Sequence, residues 1–334
     1  MPLLRRKSSA ASGPTHHKVT RLYIVSDFHA ALPAWKKMLN AVKLNHYRAD
    51  VVLYAGDLTG KAIVPITQTE SGFEATLLGA KRQARDEQEL MALERDITGI
   101  GYYPYRATAA ELEHIGGDPD KLQALFAEKI SSQVGEWMTL ASERAGSSGI
   151  PIVLIPGNDD PYEIDPSLAA STYCINTDGR ITDLPGNLQV LGLGKSSPTP
   201  WNTPREVSED DFRQQIYSLA DQLRDRRRSI FLIHCPPYDT GLDTAPLLDA
   251  GLNVTTSAGD VLRGPVGSRG VLEAVQGIHP LLSVHGHIHE SAGERKVGDT
   301  LCVNPGSEAA FGVVRGYIID VTSNGIERVF RVEG

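Results

Sequence analysis

Residues 21–29 read Arg-Leu-Tyr-Ile-Val-Ser-Asp-Phe-His. A run of apolar residues the length of a buried strand ends here in two polar side chains, Asp27 and His29, that are able to bind a metal ion. The same grammar recurs four times. Residues 50–55 lead into Gly56-Asp57, and 152–155 into Pro156-Gly157-Asn158-Asp159-Asp160. Residues 230–233 lead into His234, and 281–284 into His285-Gly286-His287-Ile288-His289. In extended chain, residues i and i+2 point the same way, so Asp27 with His29, and His287 with His289, each offer two ligands to one centre. The glycines before Asp57, Asn158 and His287 suit tight turns or close backbone approach.

Working outward, strand-length runs also appear at 188–193, 300–303 and 316–321, with helical patterns at 33–46 and 208–227 between them. This alternation predicts an α/β fold, and in open α/β sheets ligands bind beyond the carboxyl ends of the strands. Residues 60–149 break the rhythm. Two helical patterns, 77–97 and a longer one that opens at Gly117-Asp118-Pro119, flank the aromatic turn Gly101-Tyr102-Tyr103-Pro104-Tyr105-Arg106. The expected organisation is therefore a disordered basic tail at 1–18 and a domain at 19–334, with an inserted helical cap at 60–149. The stretch 236–267, rich in Gly, Pro and Asp, has no periodicity and is expected to be a functional or mobile loop.

The candidate ligands are two carboxylates, one amide and four imidazoles, with no thiolate, a mixture that suits Mn, Fe, Zn or Ni. Seven side chains are too many for one such ion and fit two that share a bridging carboxylate. Two divalent ions with Asp27, Asp57 and a bridging hydroxide would leave a net positive centre that attracts a phosphate ester and activates water.

Each motif alone is common, but their order, DxH, GD, GN, a lone His, then GHxH, resembles the calcineurin-like metallophosphoesterase family. The resemblance spans residue 21 to about 321, apart from the insertion. It implies a four-layer α/β/β/α sandwich in which two mixed sheets pack face to face with helices outside. It also implies that Asp27, His29 and His289 hold one metal, that Asn158, His234 and His287 hold the other, and that Asp57 bridges them. Two divalent ions, manganese first among the four metals, are the expected cofactor. A small phosphate ester is the expected substrate, with diesters somewhat favoured. The segment Asn304-Pro305-Gly306-Ser307 resembles a structural feature near the site of many members.

The chain departs from the family in three places. Many members follow the Asn ligand with a histidine that assists the leaving group, whereas Asp159 stands here. Beside two cations a carboxyl group is ionised and a poor proton donor. The acid would then be unnecessary or would come from the cap, where His114 is a candidate. Gly60 replaces the tyrosine ligand of purple acid phosphatases, which disfavours that branch. The insertion places Asp57 and Asn158 far apart in sequence, and it is expected to bring Tyr102, Tyr103, Tyr105 and Arg106 to the substrate entrance. Lys61 is a candidate phosphate-binding residue.

Composition narrows the alternatives. The 334 residues are 41% hydrophobic and 22% charged, with three cysteines and a net charge of −8. Residues 1–21 hold five bases and no acid, so the body is more acidic still and is a poor general binder of nucleic acid. A nuclease gains nothing from this balance. No apolar run approaches the length of a membrane helix, and a reducing cytoplasm fits three scattered cysteines. No HxHxD sequence is present, which argues against a metallo-β-lactamase-type hydrolase. The alternative from another class is a binding protein that keeps the scaffold without strong catalysis. The oligomeric state is not legible.

Overall fold

Every residue of Val51–Ala55, Ile152–Ile155 and Ser229–Ile233 is buried. Strands that are apolar on both faces must be covered on both, and the chain meets this requirement with four layers. The computed structural model describes residues 19–249 and 251–334; the expected tail at 1–18 lies outside the described residues. One six-stranded sheet has the order Gly325–Glu333, Arg315–Thr322, Thr20–Val25, Val51–Ala55, Ile152–Ile155, Cys174–Asn176. The second has the order Gly293–Val297, Thr300–Asn304, Leu282–Val284, Ser229–Ile233, Leu188–Leu193, Arg180–Leu184.

Alternate residues of each strand serve different cores. Leu22, Ile24, Leu53 and Val153 of the first sheet pack against Val190, Ile230, Leu232 and Val284 of the second. Their neighbours Tyr23, Val52, Tyr54 and Leu154 face the other way, onto Trp35, Met38, Trp137 and Met138 of the helices Leu32–Lys43 and Pro119–Ala145. Phe231 and Ile233 face outward onto Phe212, Ile216, Val271 and Val275 of Glu209–Ala220 and Arg269–Ile278. Each sheet is mixed, but the strands that end in candidate ligands run parallel to one another within their sheet. Their carboxyl ends therefore share one edge.

The insertion is corrected from helical to mixed. Its strands Ile63–Thr69, Gly72–Leu77, Ala80–Ala84 and Tyr103–Ala107 form a four-stranded sheet, closed by Leu90, Leu93 and Ile97 of the helix Glu87–Gly99. The pattern at 77–97 mixes two elements: Leu77 pairs with Ala80 across a two-residue turn, Leu78-Gly79, with both φ positive, and the helix starts only after Asp86 caps it. Such a turn matches the twist of a hairpin, and the residues following it, rich in Lys, Arg and Gln, hide the strand from a hydrophobicity reading. The aromatic turn at 101–106 is likewise largely strand, because Tyr103–Ala107 pairs in parallel with Ile63–Thr69. The long helix Pro119–Ala145 starts where Asp118 accepts hydrogen bonds from the amides of Asp120 and Lys121. Within 236–267, two short ladders, Thr244–Pro246 with Arg263–Pro265 and Thr256–Ser257 with Asp260–Val261, replace the expected loop in part.

Candidate metal centre

The five strand ends deliver their polar residues to one place. Ligand atoms of Asp27, His29, Asp57 and His289 all lie within 4.8 Å of one another, and so do those of Asp57, His234 and His287. Asp57 belongs to both groups. Its Oδ2 lies 3.4 Å from His29 Nε2 and 3.3 Å from His234 Nε2. His29 Nε2 and His289 Nε2 face each other at 2.9 Å, and His289 Nε2 is 3.5 Å from Asp27 Oδ1. Asn158 Oδ1 lies 3.0 Å from His234 Nε2.

The backbone is strained to achieve this. Asp27, His29, Asp57 and His287 have φ of 56, 43, 57 and 68°, a left-handed region that costs non-glycine residues on the order of 1 kcal/mol each and persists only when the surroundings enforce it. The amide of Asp27 donates to Gly56 O at 2.9 Å and that of His29 to Asp57 O at 3.0 Å, locking the first two loops together. At Gly157 a Cβ would collide with the carboxylate and amide of Asp57, so the third loop can approach only without a side chain.

Side-chain orientation is set one layer out. His234 Nδ1 lies 2.6 Å from Ala55 O and His29 Nδ1 3.3 Å from Thr59 O, which turns both Nε2 atoms inward. The Asn158 amide donates to Thr203 Oγ1 at 2.9 Å and Asp159 Oδ1 at 3.1 Å, which aims its oxygen at the cluster. Three orienting residues were not singled out from sequence. Asp160, fully buried, accepts from the amides of Leu58, Thr59 and Gly157 and from Thr59 Oγ1 at 2.7–3.0 Å. Thr203 holds Asn158, and His285 Nδ1 lies 2.8 and 3.0 Å from the carbonyls of Ile233 and Cys235. Asp160 and His285 stood inside the runs Asn158-Asp159-Asp160 and His285-Gly286-His287, whereas Thr203 carried no local signal. Asn304 and Ser307 also brace the site: Asn304 Nδ2 donates to Leu242 O and Ile288 O, and Ser307 Oγ to Asp27 O.

The electrostatics call for cations. Asp27 Oδ2 is buried and has no hydrogen-bond partner among the described residues, a costly state for a carboxylate oxygen unless a positive charge sits beside it. Burial opposes the charge on Asp27, yet His289 and His234 hold its carboxyl well below the usual carboxylate range. Burial lifts Asp57 to about 6 despite His234. Burial and His289 depress His29 to about 3, and burial and His234 depress His287 to about 3, so both imidazoles are neutral and free to ligate. His234 and His289 go the other way. Burial opposes the charge on His234, but Asp57 and Asp27 raise it to about 10. Burial opposes the charge on His289 too, but Asp27 outweighs it and raises its pKa. The proton on His234 marks a spot where a metal ion would take its place. The donor set thus fits N/O-ligated divalent metal.

The remaining candidates divide. Asp159 lies beside the cluster, its amide donating to Asp57 Oδ1 at 3.2 Å and its Oδ2 lying 2.7 Å from Lys61 Nζ. Burial works against the Asp159 charge, but Lys61 and His29 outweigh it and lower its pKa. The expected aromatic entrance is corrected. Tyr103 is buried, accepting from the Gly60 amide at 2.8 Å and packing edge-on against Phe126. Arg106 has its fork occupied by Glu94, at 2.6 and 2.9 Å, and reaches Glu87 at 2.8 Å. Tyr102 packs with the core of the inserted sheet, and Lys129 Nζ sits over the Tyr105 ring. His114 contacts Lys121 on the exposed part of the insertion. The strand Tyr103–Ala107 explains this, since its side chains serve the sheet and the helices that cover it.

No protein-family model matches the chain. It is 29% identical over 163 residues to the uncharacterized protein MJ1162 of Methanocaldococcus jannaschii, a match covering 48% of this chain and 66% of that one, just under two thirds. Among solved structures, that of TT1561 from Thermus thermophilus superposes with a TM-score of 0.53 at 13% identity, covering 94% of this chain and 99% of the other. At that identity the likeness is one of fold.

Proposed function

We propose that this chain is a calcineurin-like metallophosphoesterase and hydrolyses phosphate esters at a pair of divalent metal ions, with diesters somewhat favoured over monoesters. The observation that carries the reading is the meeting of seven N and O ligands from five strand ends in two groups that share Asp57. Asp27, His29 and His289 would hold one ion and Asn158, His234 and His287 the other, with Asp57 between them. Ions of the Mn, Fe, Zn or Ni type would supply Lewis acidity and activated water.

The chain's own residues do the rest. The Lys61 ammonium, beside Asp159 and partly open to solvent, offers a positive charge to a phosphoryl group. Asp159, held ionised, orients Lys61 and does not donate a proton, so esters with good leaving groups are the better substrates. His289 and Lys61, the more exposed members, mark the side from which substrate enters. The direct test is hydrolysis of bis(p-nitrophenyl) phosphate by protein stripped of metal and reloaded with Mn, Fe, Zn or Ni. Metal-dependent turnover is expected. Tight metal binding without turnover would favour a second reading, a binding protein on this scaffold, to which Asp159 in the place of the histidine lends support.

A further inference from the structure

An open groove of about 480 Å³ runs between the start of the insertion and the first turns of the helix Pro119–Ala145. It is lined by Lys61, Ala62 and Ile63 at the start of the insertion and by Pro119, Leu122, Gln123 and Phe126 of the helix. The helix residues recur at i, i+3, i+4 and i+7 and so form one stripe. Leu122 in that stripe is 48% exposed, an apolar side chain facing a space of the size that holds small organic ligands.

The groove joins the metal centre through a short chain of contacts. Asp57 Oδ1 accepts the Asp159 amide, Asp159 Oδ2 lies 2.7 Å from Lys61 Nζ, and Lys61 lines the groove. Tyr103 ties the two segments together, accepting from the amide of Gly60, next to Lys61, while its ring meets Phe126 of the groove lining edge-on. A cationic head beside the candidate ions and an apolar trough leading away complement a molecule with an anionic phosphoryl end and an uncharged ring system.

We infer that this groove is the subsite for the organic group of the ester, and that the substrate carries a flat, uncharged ring system of aryl or nucleobase size. The inference rests on the phosphoesterase reading and names its substrate class. Leu122 and Phe126 would then set specificity by contact with the ring, and the inserted segment would be the part of the chain that selects substrate.

The test compares phenyl and 2-naphthyl phosphates, whose leaving groups are similar in acidity and differ in size, each as the monoester and as the methyl diester. With Mn-loaded protein, KM for the naphthyl esters should be at least about fivefold below that for the phenyl esters. Leu122→Glu, a change at an exposed helix position, should bring the two KM values to within about twofold, with kcat for the naphthyl esters changing less than KM. Gln123→Trp, which fills the groove from a second exposed position, should raise KM for the naphthyl esters likewise. Equal KM values in the unaltered protein, or a naphthyl advantage undiminished in both variants, would overturn the subsite. Failure of the metal-loaded protein to cleave any of the four esters and bis(p-nitrophenyl) phosphate as well would instead remove the phosphoesterase reading beneath it.

Discussion

Asp57 Oδ2 stands between imidazoles of both ligand groups, so its removal should damage both metal positions at once. Asp57→Asn is expected to lower activity by roughly 100-fold or more and to weaken metal retention, since loss of even an outer orienting partner at metal sites commonly costs 10–100-fold. Retention of metals and of full turnover in that variant, measured by metal analysis and steady-state rates, would contradict the bridging role. Asp159 leads to a different expectation. Burial opposes its charge, but Lys61 and His29 hold it below its ordinary carboxyl value, so no side chain at that position donates a proton, and rates should fall steeply as leaving-group pKa rises across a series of aryl esters. Asp159→His should flatten the slope by supplying an acid that titrates near neutrality. A flat slope in the unaltered protein, left unchanged by the substitution, would show that protonation of the leaving group is provided elsewhere.

The loops depend on one another as elements, and Asp160 is the clearest case. Its buried carboxylate receives four donors from the loops that carry Asp57 and Asn158. Asp160→Ala would strand these donors and is expected to cost about 3 kcal/mol, read as a lower melting temperature together with reduced metal affinity. Unchanged stability would mean that the loops hold their places without it. At this scale the sequence was legible where one element carried its own signal: Tyr23–Val25 and Ile152–Ile155 are apolar on both faces, and the ligand positions directly follow such strands. It was not legible where pairing is decided by partners distant in the chain. The strand Tyr103–Ala107 is ordered by Ile63–Thr69, and nothing local to Tyr103 or Arg106 distinguishes sheet packing from a substrate entrance. Thr203, which aims the Asn158 amide, is likewise invisible until the chain has folded.

For the whole molecule, the first sheet is fastened by a buried charge. Asp320 is fully buried and accepts from Arg21 Nε and Nη2 at 2.6 and 2.9 Å, with Arg328 Nε at 3.1 Å. The Arg21 guanidinium, with burial opposing it, lowers the Asp320 pKa. A carboxyl depressed in the folded state contributes stability that is complete above its unfolded pKa, about 4, and is lost as pH falls through its folded value. Acid unfolding should therefore become less steep below pH 4 in Asp320→Asn, which would also lose on the order of 2–3 kcal/mol at neutral pH. An unchanged acid limb in urea titrations would exclude Asp320 as a source of the pH dependence. No helix among the described residues is long and apolar enough to cross a membrane, and the acidic body gathers its cation-seeking groups at one edge of the sandwich.

The convergence of ligands at that edge is tested most directly by counting metal ions. Purified protein stripped with chelator and dialysed against Mn, Fe, Zn or Ni should retain about two ions per chain, with fewer in folded Asp57→Asn and in His234→Ala. Folded, unaltered protein that retains none of the four metals, or that binds them equally well without Asp57 and His234, would contradict the account.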